Sequence, residues 1–359
     1  MAGIQNFLIS NVPPSESAPA LYDFSFFDFS SANTVGRTGP SLSTLKSFYN
    51  TSTNPWLNNT SFYNAVNGIQ YWTVPQTATY KIRVAGASGT NTAGSGYTGA
   101  GAIMQANFIL EAGTILFILV GQQSYYNGIR PWQGGGGGTF VATGNSVATS
   151  DPLIVAGGGG TIRSTTTYNQ NLRANTGTSG KNGSGSNGGT GGYAASGGGH
   201  NADSSGGGAA GFYSDGNSKG DLRRPVFVSG YNYFLGAQSF RNGGEGGHFD
   251  TTYDTSQPSS RSGLHGGFGC GGPGGWGGSG GGGGYSGGGN CNNSNYSGGG
   301  GSFIASAASN AWTSDGSFYA PSSVTAPYPG SVGNLNAFNY KPSNGYCTIT
   351  NCKENLWIS

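Results

Sequence analysis

Glycine occurs in this chain in clusters rather than as scattered residues, and that arrangement limits what the chain can fold into. Glycine makes up 72 of the 359 residues, against an ordinary frequency of ~7%. About 49 of them fall between Gly157 and Gly301, in runs such as Gly157–Gly160, Gly197–Gly199, Gly206–Gly208 and Gly298–Gly301. Each glycine in a helix interior costs about 1 kcal/mol relative to alanine, so a predominantly helical protein is excluded. A flexible linker is the ordinary meaning of such runs. Here they are separated by Trp, Tyr, Phe, Leu and Ile; charged residues make up 8% of the chain and aromatics 13%. The composition therefore reads as an ordered, mostly β protein that uses glycine as a building material.

The stretch Gly271–Gly289 falls into near-triplets, GGP GGW GGS GGG GGY SGG G. A polyproline-II helix has three residues per turn and no internal hydrogen bonds. With glycine at two positions of three, neighbouring rods can approach closely enough to exchange hydrogen bonds laterally. This predicts a packed polyglycine-II bundle, with the third positions (Pro273, Trp276 and Tyr285) facing outward or toward a neighbouring layer.

By composition the chain divides into four segments. Residues 1–20 carry three prolines and few hydrophobics, which predicts an extended N-terminal arm. Residues 21–156 hold strand-like runs. Tyr80, Ile82 and Val84 alternate with Lys81 and Arg83, while Met104, Ala106, Phe108 and Leu110 alternate with Gln105 and Asn107. Ile115–Val120 is apolar throughout and predicts a strand buried on both faces. Residues 157–301 are the glycine-rich insert. Residues 302–359 return to β character at Phe303-Ile304 and Tyr346–Thr350 and supply closing strands and a tail. The predicted fold class is all-β, a β-sandwich interrupted by the glycine bundle.

Fifteen Lys and Arg against thirteen Asp and Glu leave a net charge of +2, which is no electrostatic footprint for nucleic acid. The first twenty residues lack a basic region and an apolar core, so no secretory leader is expected. The longest apolar run, six residues, is too short to span a bilayer as a helix. Six Asn-X-Ser/Thr sequons, at Asn50, Asn58, Asn59, Asn182, Asn292 and Asn295, gain meaning only on a secretory route. Four cysteines without a CxxC spacing and only three histidines argue against zinc, and no cofactor is expected. The cysteines read as thiols, with a Cys270–Cys291 disulfide as the alternative.

Several stretches carry a family resemblance. Gly134-GGGG-Thr-Phe-Val-Ala142, Pro152-Leu-Ile-Val-Ala-Gly-Gly-Gly-Gly160, Gly280-GGGG-Tyr-Ser-Gly-Gly-Gly289 and Gly298-GGG-Ser-Phe-Ile304 occur in that order. They resemble the glycine-rich extracellular region of anaplastic lymphoma kinase and leukocyte tyrosine kinase. The resemblance covers roughly residues 70–350. It implies a tumour-necrosis-factor-like (jelly-roll) β-sandwich carrying an inserted polyglycine-II bundle, without the kinase domain. The Phe24–Phe29 patch, Gly36–Pro40 and Gly68–Pro75 are similar to glycine-rich virion proteins of phages and large algal viruses, among them tail-fibre adhesins.

Two motifs are decoys. Gly94-Ser-Gly-Tyr-Thr-Gly99 matches GxGxxG, yet the residues after it alternate as a strand where a dinucleotide fold needs a helix. His200 with Asp203, and His248 with Asp250, read as solvated loop residues, so no enzyme is expected. Aromatic residues on rigid loops suit stacking on sugar faces, and the candidate contacts are Tyr231, Tyr233 and Phe234, with Tyr253 and Trp276 behind them. The expected function is that of a non-enzymatic virion structural protein, exposed on a capsid or fibre and attaching through the insert's loops. Its partners would be other virion proteins, a host-surface glycan or protein and, in a homo-oligomer, further copies of itself. The alternative is a secreted or cell-surface binding module.

Overall fold

The computed structural model describes residues 19–89, 99–124, 133–162, 169–185, 190–199, 207–216, 234–249, 264–275, 278–291, 296–315 and 344–352. Its strands are β1 (Phe26–Phe29), β2 (Tyr63–Val66), β3 (Ile69–Thr73), β4 (Ala78–Ala85), β5 (Ile103–Leu110), β6 (Ile115–Leu119) and β7 (Thr139–Thr143). They continue with β8 (Asp151–Ala156), β9 (Phe234–Leu235), β10 (His248–Phe249), β11 (Phe303–Ile304), β12 (Ser309–Ser314) and β13 (Tyr346–Asn351). Among the described residues there is one α-helix, α1 (Leu42–Phe48), which starts where Ser41 Oγ accepts the Thr44 N–H and buries Leu45.

Two antiparallel sheets carry the fold, in the orders β1-β13-β4-β5-β12 and β11-β8-β7-β6-β3-β2. The pairing of β4 with β5 explains the alternation in sequence. Tyr80 faces Phe108, Ile82 faces Ala106 and Val84 faces Met104, all buried, while Lys81–Asn107 and Arg83–Gln105 lie on the other face. Trp72, Leu116, Ile118, Val141 and Ile154 of the second sheet close on these residues in one core. The tight β2–β3 hairpin turns on Asn67 and Gly68, with φ of +49° and +83°. Positive φ at both central residues is the signature of a type I′ turn, for which Asn-Gly is the favoured pair.

From Leu116 onward β6 is buried on both faces, because the second sheet has a second core on its outer side, while Ile115 is exposed. There Phe117, Leu119, Phe140 and Val155 meet Phe212, Phe240, Phe268 and Cys270 of the glycine-rich segment. Phe212 and Phe240 stack with ring centroids 4.8 Å apart, and Phe240 stacks on Phe140 at 5.1 Å. Burying such a side chain contributes roughly 1.5–3 kcal/mol, so these rings fasten the insert to the sheet.

Four glycine segments adjoin strands, at the same end of the two sheets. β4 runs into Gly86, β7 follows Gly134–Gly138, β8 leads into Gly157–Gly160 and β11 follows Gly298–Gly301. Beyond the strands the ladders give way to hydrogen bonds whose partners repeat every three residues. Gly135 and Gly138 donate to Gly272 and Gly269, and Gly280 and Gly283 donate to Gln133 and Gly136. Lys181 and Ser184 donate to Gly299 and Tyr296, and Ser297 and Gly300 donate to Thr161 and Gly158. Between the first pair, Gly136 donates to Gly159 and Gly137 to Gln122. One run therefore bonds three different neighbours in succession, which a flat strand with two hydrogen-bonding edges cannot do.

Candidate functional site

Of the residues singled out from sequence as contacts, Tyr231, Tyr233, Tyr253 and Trp276 lie outside the described residues. Phe234 has its backbone in β9, paired with Phe249 of β10. Cys270 and Cys291 are both buried thiols. Cys270 Sγ lies 3.7 Å from the Gly211 carbonyl, and Cys291 Sγ accepts the Ser279 N–H at 3.1 Å. Burial raises the Cys270 pKa well above that of an ordinary thiol, with Asp215 adding to the shift. The GxGxxG stretch lies almost wholly outside the described residues, and the chain beyond it enters strand β5 rather than a helix.

The described part of the insert presents a different aromatic surface, which sequence reasoning did not select. Tyr193 and Tyr213 are 75% and 42% exposed. They lie on two turns hydrogen-bonded to each other, because the Tyr213 N–H donates to Ala195 O and the Gly197 N–H to Ser214 Oγ. The Arg241 guanidinium stands 4.4 Å from the centre of the Tyr213 ring. It is held there by two hydrogen bonds to the Ser150 carbonyl, at 2.7 and 3.0 Å, and by Asp151 at 3.3 Å. Asp215 accepts the Ser239 N–H and the Asn242 side-chain amide, both at 2.8 Å. Phe212, next to Tyr213 in sequence, is in the second core, so the platform stands on a packed base. The arrangement offers an aromatic face, a fixed cation and amide and carboxylate groups to a hydroxylated ligand. Tyr193 and Tyr213 each lie within two residues of a glycine, and that is the one signal the sequence offers for them.

A second polar cluster joins the segment before α1 to the insert. Arg37 pairs with Glu245 at 2.9 Å and lies 3.2 Å from His248 Nδ1. A guanidinium can only donate, so Nδ1 accepts and the neutral ring carries its proton on Nε2. His265 stands edge-on to His248, with ring centroids 6.1 Å apart. Burial first, then Arg37 and His248, lower the His265 pKa to about 4. This corrects the reading of His248 as a solvated loop residue: it lies in a short strand, half-buried, against Arg37. The same segment is tied to the glycine-rich segment, since Gly36 O accepts from Phe268 N–H and Arg37 O from Gly246 N–H.

Among the described residues, no group of three or more His, Cys, Asp or Glu side chains is placed to hold a metal ion. No helix among them is long and apolar enough to cross a membrane. Comparison with protein-family models and with curated proteins finds no match for the chain.

Proposed function

We propose that this chain is a non-enzymatic structural protein of a virion, exposed on a capsid or fibre, which attaches to a surface glycan through its glycine-rich insert. In this reading the two sheets are a jelly-roll sandwich of the tumour-necrosis-factor-like kind, and the insert is a bundle of polyglycine-II helices. The three-residue repeat of hydrogen-bond partners supports the bundle, because three residues make one turn of that helix. Cross-linking by backbone hydrogen bonds in several directions gives a stiff, nearly uncharged platform, which suits a part that must present a surface without changing shape.

The observation that carries the attachment reading is the Tyr213–Arg241 platform with exposed Tyr193 beside it. Aromatic rings held by a packed base bind at small conformational cost, and tyrosine supplies both an apolar face and a hydroxyl. The test is a glycan array probed with the purified chain and with the Tyr193→Ala/Tyr213→Ala double variant. Binding to a defined glycan that the double variant loses supports the reading. Silence of the wild-type chain, or equal binding by the variant, sinks the attachment role. Mass spectrometry of purified virions tests the location directly, and native chain carrying glycans on its sequons would favour a secreted binding module instead.

A further inference from the structure

Where the bundle meets the edge strand β12 there is a cleft of about 290 Å³, lined by Asn175, Thr176, Lys181, Thr313, Ser314 and Asp315. Its walls are fixed. The Lys181 backbone donates to Gly299 O and accepts from Gly289 N–H, and the Asn175 backbone donates to Gly300 O and accepts from Ser302 Oγ. The Asn175 side chain is spent within its own turn, on Ser179 O and the Gly177 N–H. The Lys181 ammonium is anchored by one hydrogen bond, to Gln170 O at 2.9 Å. Arg173 reaches Asp315 at 3.9 Å, a long ion pair at the same place. The cleft itself thus holds one ammonium and one carboxylate, with Arg173 beside the latter, and apart from Ala174 its lining is polar.

We propose that this cleft binds a single carboxylate-bearing sugar ring, such as a uronic or sialic acid. The Lys181 ammonium, whose hydrogen bond goes to a carbonyl oxygen, suits one negative charge. The Thr176 and Thr313 hydroxyls suit ring hydroxyls, and Asp315 can accept from a hydroxyl but repels a second anionic charge. That last point disfavours a phosphate dianion. The volume falls just below the range of ligand pockets, roughly 300 to 1,000 Å³, so it suits one ring and not an oligosaccharide. Burial lowers the Lys181 pKa, an effect that Asp315 opposes and Arg173 reinforces, so the ammonium is under-solvated and gains from a bound anion. The inference is independent of the tyrosine platform, which lies on other residues.

The experiment is calorimetric titration of the full chain with glucuronic acid, N-acetylneuraminic acid, glucose and inorganic phosphate. At least one sugar acid is expected to bind at least about tenfold more tightly than glucose or phosphate, a difference of about 1.4 kcal/mol. That binding should weaken with added salt, as screening predicts for a half-exposed ion pair. Lys181→Met should reduce it by about tenfold or more at an unchanged thermal midpoint. If that variant fails to fold, Thr313→Val, which spares the bundle, should weaken the same titration several-fold. Equal binding of glucose, equal or tighter binding of phosphate, or no effect of a folded variant overturns the proposal. Tyr213→Ala should leave this titration unchanged, so failure here and failure of the glycan array are separate results.

Discussion

A Cβ on residue 137 would fall on the carbonyl oxygen of Phe268, well inside the 3.0 Å that real Cβ contacts respect. That oxygen already accepts the Gln122 N–H at 2.8 Å, and Gly137 donates to Gln122 O at 2.9 Å. The obstacle is backbone, fixed by its own hydrogen bonds, and cannot swing away as a side chain would. Overpacking ordinarily costs about 1–3 kcal/mol, and Gly137→Ala is expected at or beyond the upper end. At 2–4 °C per kcal/mol for a large domain, the thermal midpoint should fall by roughly 6–12 °C. Gly177 is the control, because the atoms nearest its Cβ would be those of the Asn175 side chain, no closer than 3.6 Å. Differential scanning calorimetry of the two alanine variants decides the matter: equal midpoints would mean that close backbone packing does not select glycine here.

Phe240 joins the insert to the sheet through its stacks on Phe212 and Phe140. Phe240→Ala removes the middle ring of three and leaves a cavity, at an expected cost of about 3–5 kcal/mol. Limited proteolysis should then cut first within residues 157–301, while the sandwich core built on Trp72, Tyr80 and Ile82 stays protected. Cleavage spread evenly over both regions would show that the two cores do not unfold separately.

The sandwich strands are legible in the sequence because alternation and burial have the same cause. Tyr80, Ile82 and Val84 face the core since a strand turns alternate side chains inward. Leu116–Leu119 is apolar on both faces since the second core that includes Phe212, Phe240 and Phe268 takes up Phe117 and Leu119, while Ile115 at the strand's start stays exposed. Helix α1 is not legible: seven residues with one buried leucine carry almost no periodic signal. The glycine triplets announce a three-residue repeat but not which run bonds which, because polyglycine has no side chains to encode a neighbour. Tyr213 escapes notice for the same reason that Arg37 does. Their partners, Arg241 and Glu245, are 28 and 208 residues away in sequence, and nothing local marks either pair.

Thiol reactivity tracks burial. Cys270, Cys291 and Cys347 are fully buried, and Cys352, just past the end of β13, is half-buried. Burial pushes the Cys347 thiol far up, with the Asp28 carboxylate adding to it, so its reactive thiolate is scarce. Titration with an aromatic disulfide reagent should therefore find Cys352 reacting first in the native protein, and all four thiols after denaturation. A denatured count of two would reveal a disulfide and overturn the assignment of thiols.

Two groups give opposite pH dependences over one range. His265 has an unfolded pKa of 6.5 and a folded value of about 4. As pH falls from 6.5 toward 4 the unfolded chain takes up the proton first, so stability is lost through that window, by on the order of 3 kcal/mol at most. Asp28, raised by burial from 3.8 to about 6, works the other way. Its folded form takes up the proton first as pH falls from 6 toward 3.8, so a cost present at neutral pH is relieved. Asp28→Asn should thus raise the thermal midpoint at about pH 7.5 and bring no gain near pH 3.5. His265→Gln should leave a smaller loss than the wild type shows between about pH 6.5 and 4. Midpoints measured across this range for the wild type and both variants check the pair. Curves that differ only by a constant offset would mean that neither group is linked to folding.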